Sequence, residues 1–192
     1  MSVLLLSGSP SASSSGARLL QHMGEQLAAQ GHHYQRLHVR DLPARALLHG
    51  DAGDPAIAAA LALVRQADAV IVATPVYKAA YTGILKAFLD VLPQDGLAGK
   101  LVLPLATGGS QSHMLVLDYA LRPVLASLAA RFILPGIYAT GDQLPWDAQA
   151  GLTPAAPIAA RVAAGVAQLG AELHALARQR ASHPPCIAAL AA

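Results

Sequence analysis

AVIVATPVYKAAYTGILKAFLDVL, residues Ala69 to Leu92, reads as a strand, a polar loop and a helix in immediate succession. Ala69 to Ala73 is a short apolar run with β-branched residues and no alternation, the pattern of a strand buried on both faces of a parallel sheet. Thr74-Pro75 breaks it, because proline donates no ladder hydrogen bond and holds its predecessor extended. From Thr82 onward, Ile84, Leu85, Phe88, Leu89 and Leu92 recur at three- and four-residue spacing, the apolar stripe of a helix lying on that sheet. This is half of a βαβ unit. Open α/β sheets bind ligands in the loops at the carboxyl ends of their strands, so Thr74 to Thr82 is the first place to look for function.

Working back toward the N-terminus, Val3 to Leu6 is a second apolar run, stopping at Ser7-Gly8-Ser9-Pro10 and the serine-rich stretch to Gly16. Leu19, Leu20, Met23 and Leu27 then share a helical face, with Gly31 as its stop. A Ser/Gly loop between a strand and a helix N-terminus offers amides, hydroxyls and the positive end of a helix dipole, which suit a phosphate. The same loop equally serves as an N-cap. It matches neither G-x-G-x-x-G nor G-x-x-x-x-G-K-[ST], so any phosphate cradle here is of another kind. His32 to Val39 alternates as a strand near the sheet edge. Its histidines, His32, His33 and His38, have no carboxylate or cysteine at metal-ligand spacing and read as solvated, and no metal is expected. Asp54 to Gln66 is an alanine-rich helix with Pro55 at its first position.

On the other side, Leu101 to Ala106 is a further buried-type strand ending at Thr107-Gly108-Gly109-Ser110, where glycines let backbone approach a flat ligand. A helix follows from Gln111, and Pro123 in its middle must bend or interrupt it near Asp118 and Tyr119. Phe132 to Thr140 reads as the fifth strand, Gly141 to Pro157 as a loop holding Trp146, and Ile158 to Arg178 as a long amphipathic helix. Residues 1–180 form one domain, and 181–192, with Pro184-Pro185, a tail. Five strands alternating with helices predict an α/β, doubly wound, flavodoxin-like parallel sheet of order 2-1-3-4-5 with helices on both faces. In that order the loops after strands one, three and four meet at one rim.

Composition narrows the function. Only 12% of residues are charged and 54% are apolar, so the protein is expected to bury surface against copies of itself. A net charge of +2 spread along the chain excludes nucleic acid as a partner. No apolar run reaches the roughly 18 residues that span a bilayer, and the N-terminus carries no basic region of a signal peptide. One cysteine, Cys186, rules out an intrachain disulfide. The expectation is a cytoplasmic protein.

The residues Ala73-Thr74-Pro75-Val76-Tyr77-Lys78-Ala79-Ala80-Tyr81-Thr82-Gly83, Leu103 to Ser110, Asp118-Tyr119-Ala120-Leu121-Arg122-Pro123-Val124-Leu125 and Gly8-Ser9-Pro10 resemble the NAD(P)H-dependent FMN reductases, nearest the branch that supplies reduced flavin to alkanesulfonate monooxygenases. The resemblance runs from Met1 to about Arg180. It implies a homodimer or dimer of dimers, with FMN on the three loops. Ser9, Ser14 and Ser15 take the phosphate, Pro75, Val76, Tyr77 and Lys78 the isoalloxazine and ribityl chain, and Thr107, Gly108, Gly109 and Ser110 the far edge of the ring. Relatives often carry arginine after Gly-Ser-Pro, where Ser11 stands here. Tyr119 resembles an inserted tyrosine that makes a π-bulge beside the flavin and the subunit interface.

In this resemblance hydride moves from the nicotinamide C4 to the flavin N5, and no catalytic acid or base is required. Amides of the Tyr77 and Gly108 loops stabilise charge on the ring. Lys86, Lys100 and Arg122 read as solvated, and the arginines are too scattered for a 2′-phosphate site to be read from them, leaving NADPH or NADH as donor. The implied partner is a reduced-flavin-dependent monooxygenase in organosulfonate sulfur assimilation. Against this stand an FMN-retaining quinone, azo or metal-oxyanion reductase, and a flavodoxin-like electron carrier, which the slight positive charge disfavours. A hydrolase using Ser9 or Ser110 lacks a G-x-S-x-G elbow.

Overall fold

The apolar runs fail to alternate because both faces of one sheet are covered. The computed structural model describes residues 1–182, in which β1 (Ser2–Ser7), β2 (His33–His38), β3 (Ala69–Pro75) and β4 (Leu101–Gly108) are parallel and ordered β2-β1-β3-β4. Leu5 lies between Arg36 and Ile71, and Ile71 is in turn opposite Leu103. α1 (Ser15–Ala29) and α6 (Ala156–Ser182) pack on the face carrying Val3, Leu5, Ile71 and Leu103. On the other face Leu4, Leu6, Val70 and Val72 meet α2 (Ala44–His49), α3 (Pro55–Gln66), α4 (Gly83–Val91) and α5 (Arg122–Ser127). This is the expected doubly wound sheet, with β2 at its edge.

The helix starts are set by their caps. Asp54 accepts the amides of Ala56 and Ile57 ahead of Pro55, and Thr82 accepts that of Leu85. α1 ends as expected at a glycine with left-handed backbone, Gly31 at φ 84°. Phe88 is fully buried at the α4–sheet contact, and truncating such a side chain to alanine costs about 3–5 kcal/mol.

Three expectations need correction. The fifth position is filled by two short strands: β5 (Phe132–Ile133) pairs with Leu101 and Val102, and β6 (Ile137–Thr140) with Leu105 to Gly108. Pro135 has no N–H for a ladder, and a Cβ on Gly136 would stand 2.9 Å from Leu117 Cδ1, so the chain detours there against the neighbouring helix. The helix expected from Gln111 begins later than that, and it is interrupted around Tyr119 as expected. The segment comprises a 3₁₀ turn (Gln111–His113), a π-helical segment (Leu117–Leu121) that holds Tyr119, and α5, and Pro123 stands just after the π-helical segment, where its missing N–H interrupts the α-helical bonding. The loop holding Trp146 contains an antiparallel hairpin, β7 (Trp146–Asp147) with β8 (Gly151–Leu152).

Two side chains read as solvated are buried. Lys100, 9% exposed, donates to the carbonyls of Arg65 (2.9 Å) and Ala67 (2.8 Å), and burial pulls its pKa down. His32 packs against His174, ring centroids 4.8 Å apart. Lys86 and Arg122 do form exposed pairs, with Asp90 and Asp118. Of the expected tail, Ala181 and Ser182 continue α6; 183–192 lie outside the described residues. Among the described residues no helix is long and apolar enough to cross a membrane, and no group of three His, Cys, Asp or Glu could hold a metal ion.

Candidate functional site

Hydrogen bonds knit the three loops together at the carboxyl ends of β1, β3 and β4. The Gly8 amide donates to Ala73 O (2.8 Å), the Thr82 hydroxyl donates to Gly8 O, and the Thr82 amide donates to Thr74 Oγ1 (3.1 Å). The Val76 amide donates to Thr107 O (2.7 Å). A Cβ on Gly16 would lie 2.9 Å from Thr107 Oγ1, which brings the start of α1 directly against the end of β4. The convergence anticipated from the strand order is therefore present.

In the serine loop, Ser9 is 2% exposed and its hydroxyl is turned inward, accepting from the Ser11 amide (3.2 Å) and donating to Ser11 O (3.3 Å). Ser14 Oγ caps α1 by accepting from the Ala17 amide (3.1 Å), which leaves its hydroxyl proton to donate elsewhere. The N-cap reading of this loop thus holds in Ser14. The Ser15 and Gly16 amides open α1 without intrahelical acceptors. Ser7 Oγ, just before the loop, is buried with no partner among the described residues. Amides, hydroxyls and a helix N-terminus with no competing carboxylate make a donor set that fits a phosphate.

The second loop is a tight turn. Tyr77 N–H donates to Ala80 O (2.9 Å), Ala80 N–H donates to Tyr77 O (3.1 Å), and Lys78 and Ala79 between them have φ of 50° and 63°. Two left-handed central residues define a turn that usually takes Asn-Gly, and each non-glycine residue there stores about 1 kcal/mol. Such strain gathers where a ligand rim must be rigid. Pro75 and Val76 are half-buried beside it and Tyr77 is 52% exposed. The Tyr77 amide is spent within the turn, and the amides of Lys78 and Ala79 have no acceptor among the described residues.

In the third loop the two glycines differ. A Cβ on Gly108 would collide with the Tyr138 hydroxyl, whereas one on Gly109 would meet nothing. Gly108 makes room for Tyr138, and Gly109 is the glycine with open space beside it. Tyr138 donates to Ser110 O (2.6 Å), and burial pushes its pKa up, so the phenol stays a donor that pins the loop. The sequence reading missed this residue; its signal was a tyrosine inside an apolar strand, opposite Ala106 in register. Ser110 Oγ accepts the Ser112 amide (3.2 Å), and Tyr119 lies in the π-helical segment, 80% exposed.

Three loops meet at the carboxyl ends of β1, β3 and β4, and residues 1–144 match the family described as NADPH-dependent FMN reductase. The chain belongs to this family. The reductase is 47% identical over 146 residues to an FMN reductase (NADPH) of Pseudomonas putida, covering 76% of this chain and 74% of the relative. It is 44% identical over 144 residues to an FMN reductase (NADPH) of Escherichia coli, covering 75% of each. Its structure matches that of an NADH:FMN oxidoreductase crystallised in its apo form with a TM-score of 0.81, at 40% identity and 89% coverage of each chain. It is an NAD(P)H:FMN oxidoreductase, with FMN and a nicotinamide nucleotide as its redox pair.

Proposed function

We propose that the reductase takes NAD(P)H and FMN at the three-loop rim and releases reduced flavin to a separate monooxygenase that opens organosulfonates for sulfur assimilation. The observation that carries release over retention is the phosphate seat. From Ser9 to Ser15 the loop has no arginine or lysine of its own, the Arg40 guanidinium that reaches it donates to Ser11 O, and the Ser9 hydroxyl both accepts from and donates to Ser11. A dianion held by amides and hydroxyls without a direct guanidinium fork binds less tightly than one in a fork.

FMN, when bound, supplies the hydride chemistry. The chain supplies position and dipoles. Ser14, Ser15 and the first amides of α1 hold the phosphate, the strained Lys78-Ala79 turn presents free amides, and Tyr77 and Gly109 bound the slot for the ring. Exposed Met114, Leu115, Tyr119 and Phe132 support assembly of copies into a dimer or dimer of dimers.

Anaerobic stopped-flow absorbance with added FMN and each nicotinamide tests this. The expected result is bleaching of free FMN that scales with FMN concentration, and a colourless protein after gel filtration. A protein that stays yellow and passes electrons directly to a quinone would instead be a prosthetic-flavin reductase.

A further inference from the structure

A cleft of about 470 Å³ opens beside the serine loop, where α1, the end of β2 and the β7–β8 hairpin come together, and Ala12 of the loop borders it. Arg18, Arg36 and Arg40, scattered in the sequence, all line it, facing one carboxylate, Glu25. That carboxylate already accepts from Gln21 (2.8 Å). Arg40 Nη1 donates to Ser11 O (3.2 Å) and its Nε lies 3.4 Å from Asp41 at the rim, while Arg36 donates to Gln21 Oε1 (3.2 Å). The Arg18 guanidinium lies 3.9 Å from the ring centroid of Trp146 and has no anionic partner among the described residues. His38, also lining the cleft, has a buried Nδ1 with no partner among the described residues.

Three guanidiniums gathered around so little negative charge suit a phosphate dianion, which they can grip through paired N–H forks. A bare anion accounts for the arginines but not for the indole. A guanidinium stacked on tryptophan presents a flat wall of the kind that takes a purine. We propose that this cleft seats the 2′-phosphoadenosine end of NADPH. The proposal rests on the reductase reading, since the nicotinamide end must reach the flavin seat on the adjoining loops. The three arginines then select NADPH over NADH, which has a hydroxyl where the 2′-phosphate would be.

Trp146 is the only tryptophan, so its emission reports on the cleft. The FMN-loaded protein is titrated with 2′,5′-ADP, with 5′-AMP and with inorganic phosphate, and kcat/KM is measured for NADPH and NADH in wild type and Arg36→Ala. The expected result is a saturable change with 2′,5′-ADP, at least about tenfold tighter than with 5′-AMP or phosphate. The NADPH:NADH ratio of kcat/KM falls at least about tenfold in Arg36→Ala, and Arg45→Ala, in a separate hollow with His49 and Asp54, leaves it in place. Equal binding of 2′,5′-ADP and 5′-AMP, phosphate binding as tightly as either, or an unchanged ratio overturns the assignment. An absorbance titration with FMN separates the two levels. If FMN binds and is reduced while 2′,5′-ADP is ignored, only this inference falls; if FMN itself is ignored, the reductase reading falls with it.

Discussion

The hydroxyl of Thr82 donates to the carbonyl of Gly8, 74 residues earlier in the chain, and the same oxygen accepts the Leu85 amide (3.3 Å). One side chain therefore caps α4 and ties the loop after β3 to the loop after β1. Thr82→Val keeps the shape and removes both bonds, leaving a buried carbonyl unmet. The expected loss is about 2–4 kcal/mol in urea unfolding, with weaker FMN binding. Thr82→Ser keeps both bonds and is expected to stay close to wild type. A valine variant that binds FMN as before would reduce the tie to a purely structural one.

The Tyr77–Ala80 turn separates ligand contact from backbone strain. Tyr77→Ala removes an exposed ring without touching the turn's own hydrogen bonds, so FMN affinity should fall while the melting temperature holds. Ala79→Gly relieves a left-handed alanine at φ 63° and should raise stability by up to about 1 kcal/mol, less the entropy glycine adds to the unfolded chain. An unchanged FMN titration for Tyr77→Ala would remove that loop from the site.

Tyr119 is the residue whose removal should convert one helical register into another. The π-helical segment Leu117–Leu121 keeps Leu117 and Leu121 buried while Tyr119 stays in solvent. Deleting Tyr119 takes out the one extra residue of a π-turn and favours a continuous α-helix. The expected outcome is altered mass in light scattering or altered FMN retention on gel filtration. A variant indistinguishable in both would leave Tyr119 no part in assembly or flavin binding.

The parts of this molecule that were legible in the sequence are those decided by local physics. Ala69 to Ala73 lacks alternation because Val70 and Val72 meet one helical layer while Ile71 meets the other, and a run of that kind declares its own burial. Ser14, Asp54 and Thr82 announce helix starts because caps act within three residues. What the sequence hid depends on contacts between distant segments. Phe132 to Thr140 has the composition of one strand, but Gly136 must clear Leu117. Lys100 looks like a surface lysine until the carbonyls of Arg65 and Ala67 take up its charge. Arg18, Arg36 and Arg40 look scattered because only the sheet edge and the β7–β8 hairpin bring them to one cleft. Tyr138 pins the glycine loop through a bond that spans 28 residues.

His32 gives the fold a built-in acid sensitivity. It is 4% exposed, its Nε2 has no partner among the described residues, and its ring meets His174. Burial first, then His174 and the chain's amino terminus, hold its pKa below the ordinary value of 6.5. The unfolded chain therefore takes up the proton before the folded one does. The contribution of neutral His32 is complete above about pH 6.5 and is lost progressively as pH falls toward the lowered folded value. Burial and the neighbouring Arg40 lower the pKa of His38 as well, adding to the slope with the same sign. Melting temperatures measured between about pH 7.5 and 5.5 should fall for the wild type. The fall should be shallower in His32→Leu, which fills the site with no titratable group, the remaining slope belonging to His38. Equal slopes in the two proteins would show that the His32–His174 contact opens without cost when it is protonated.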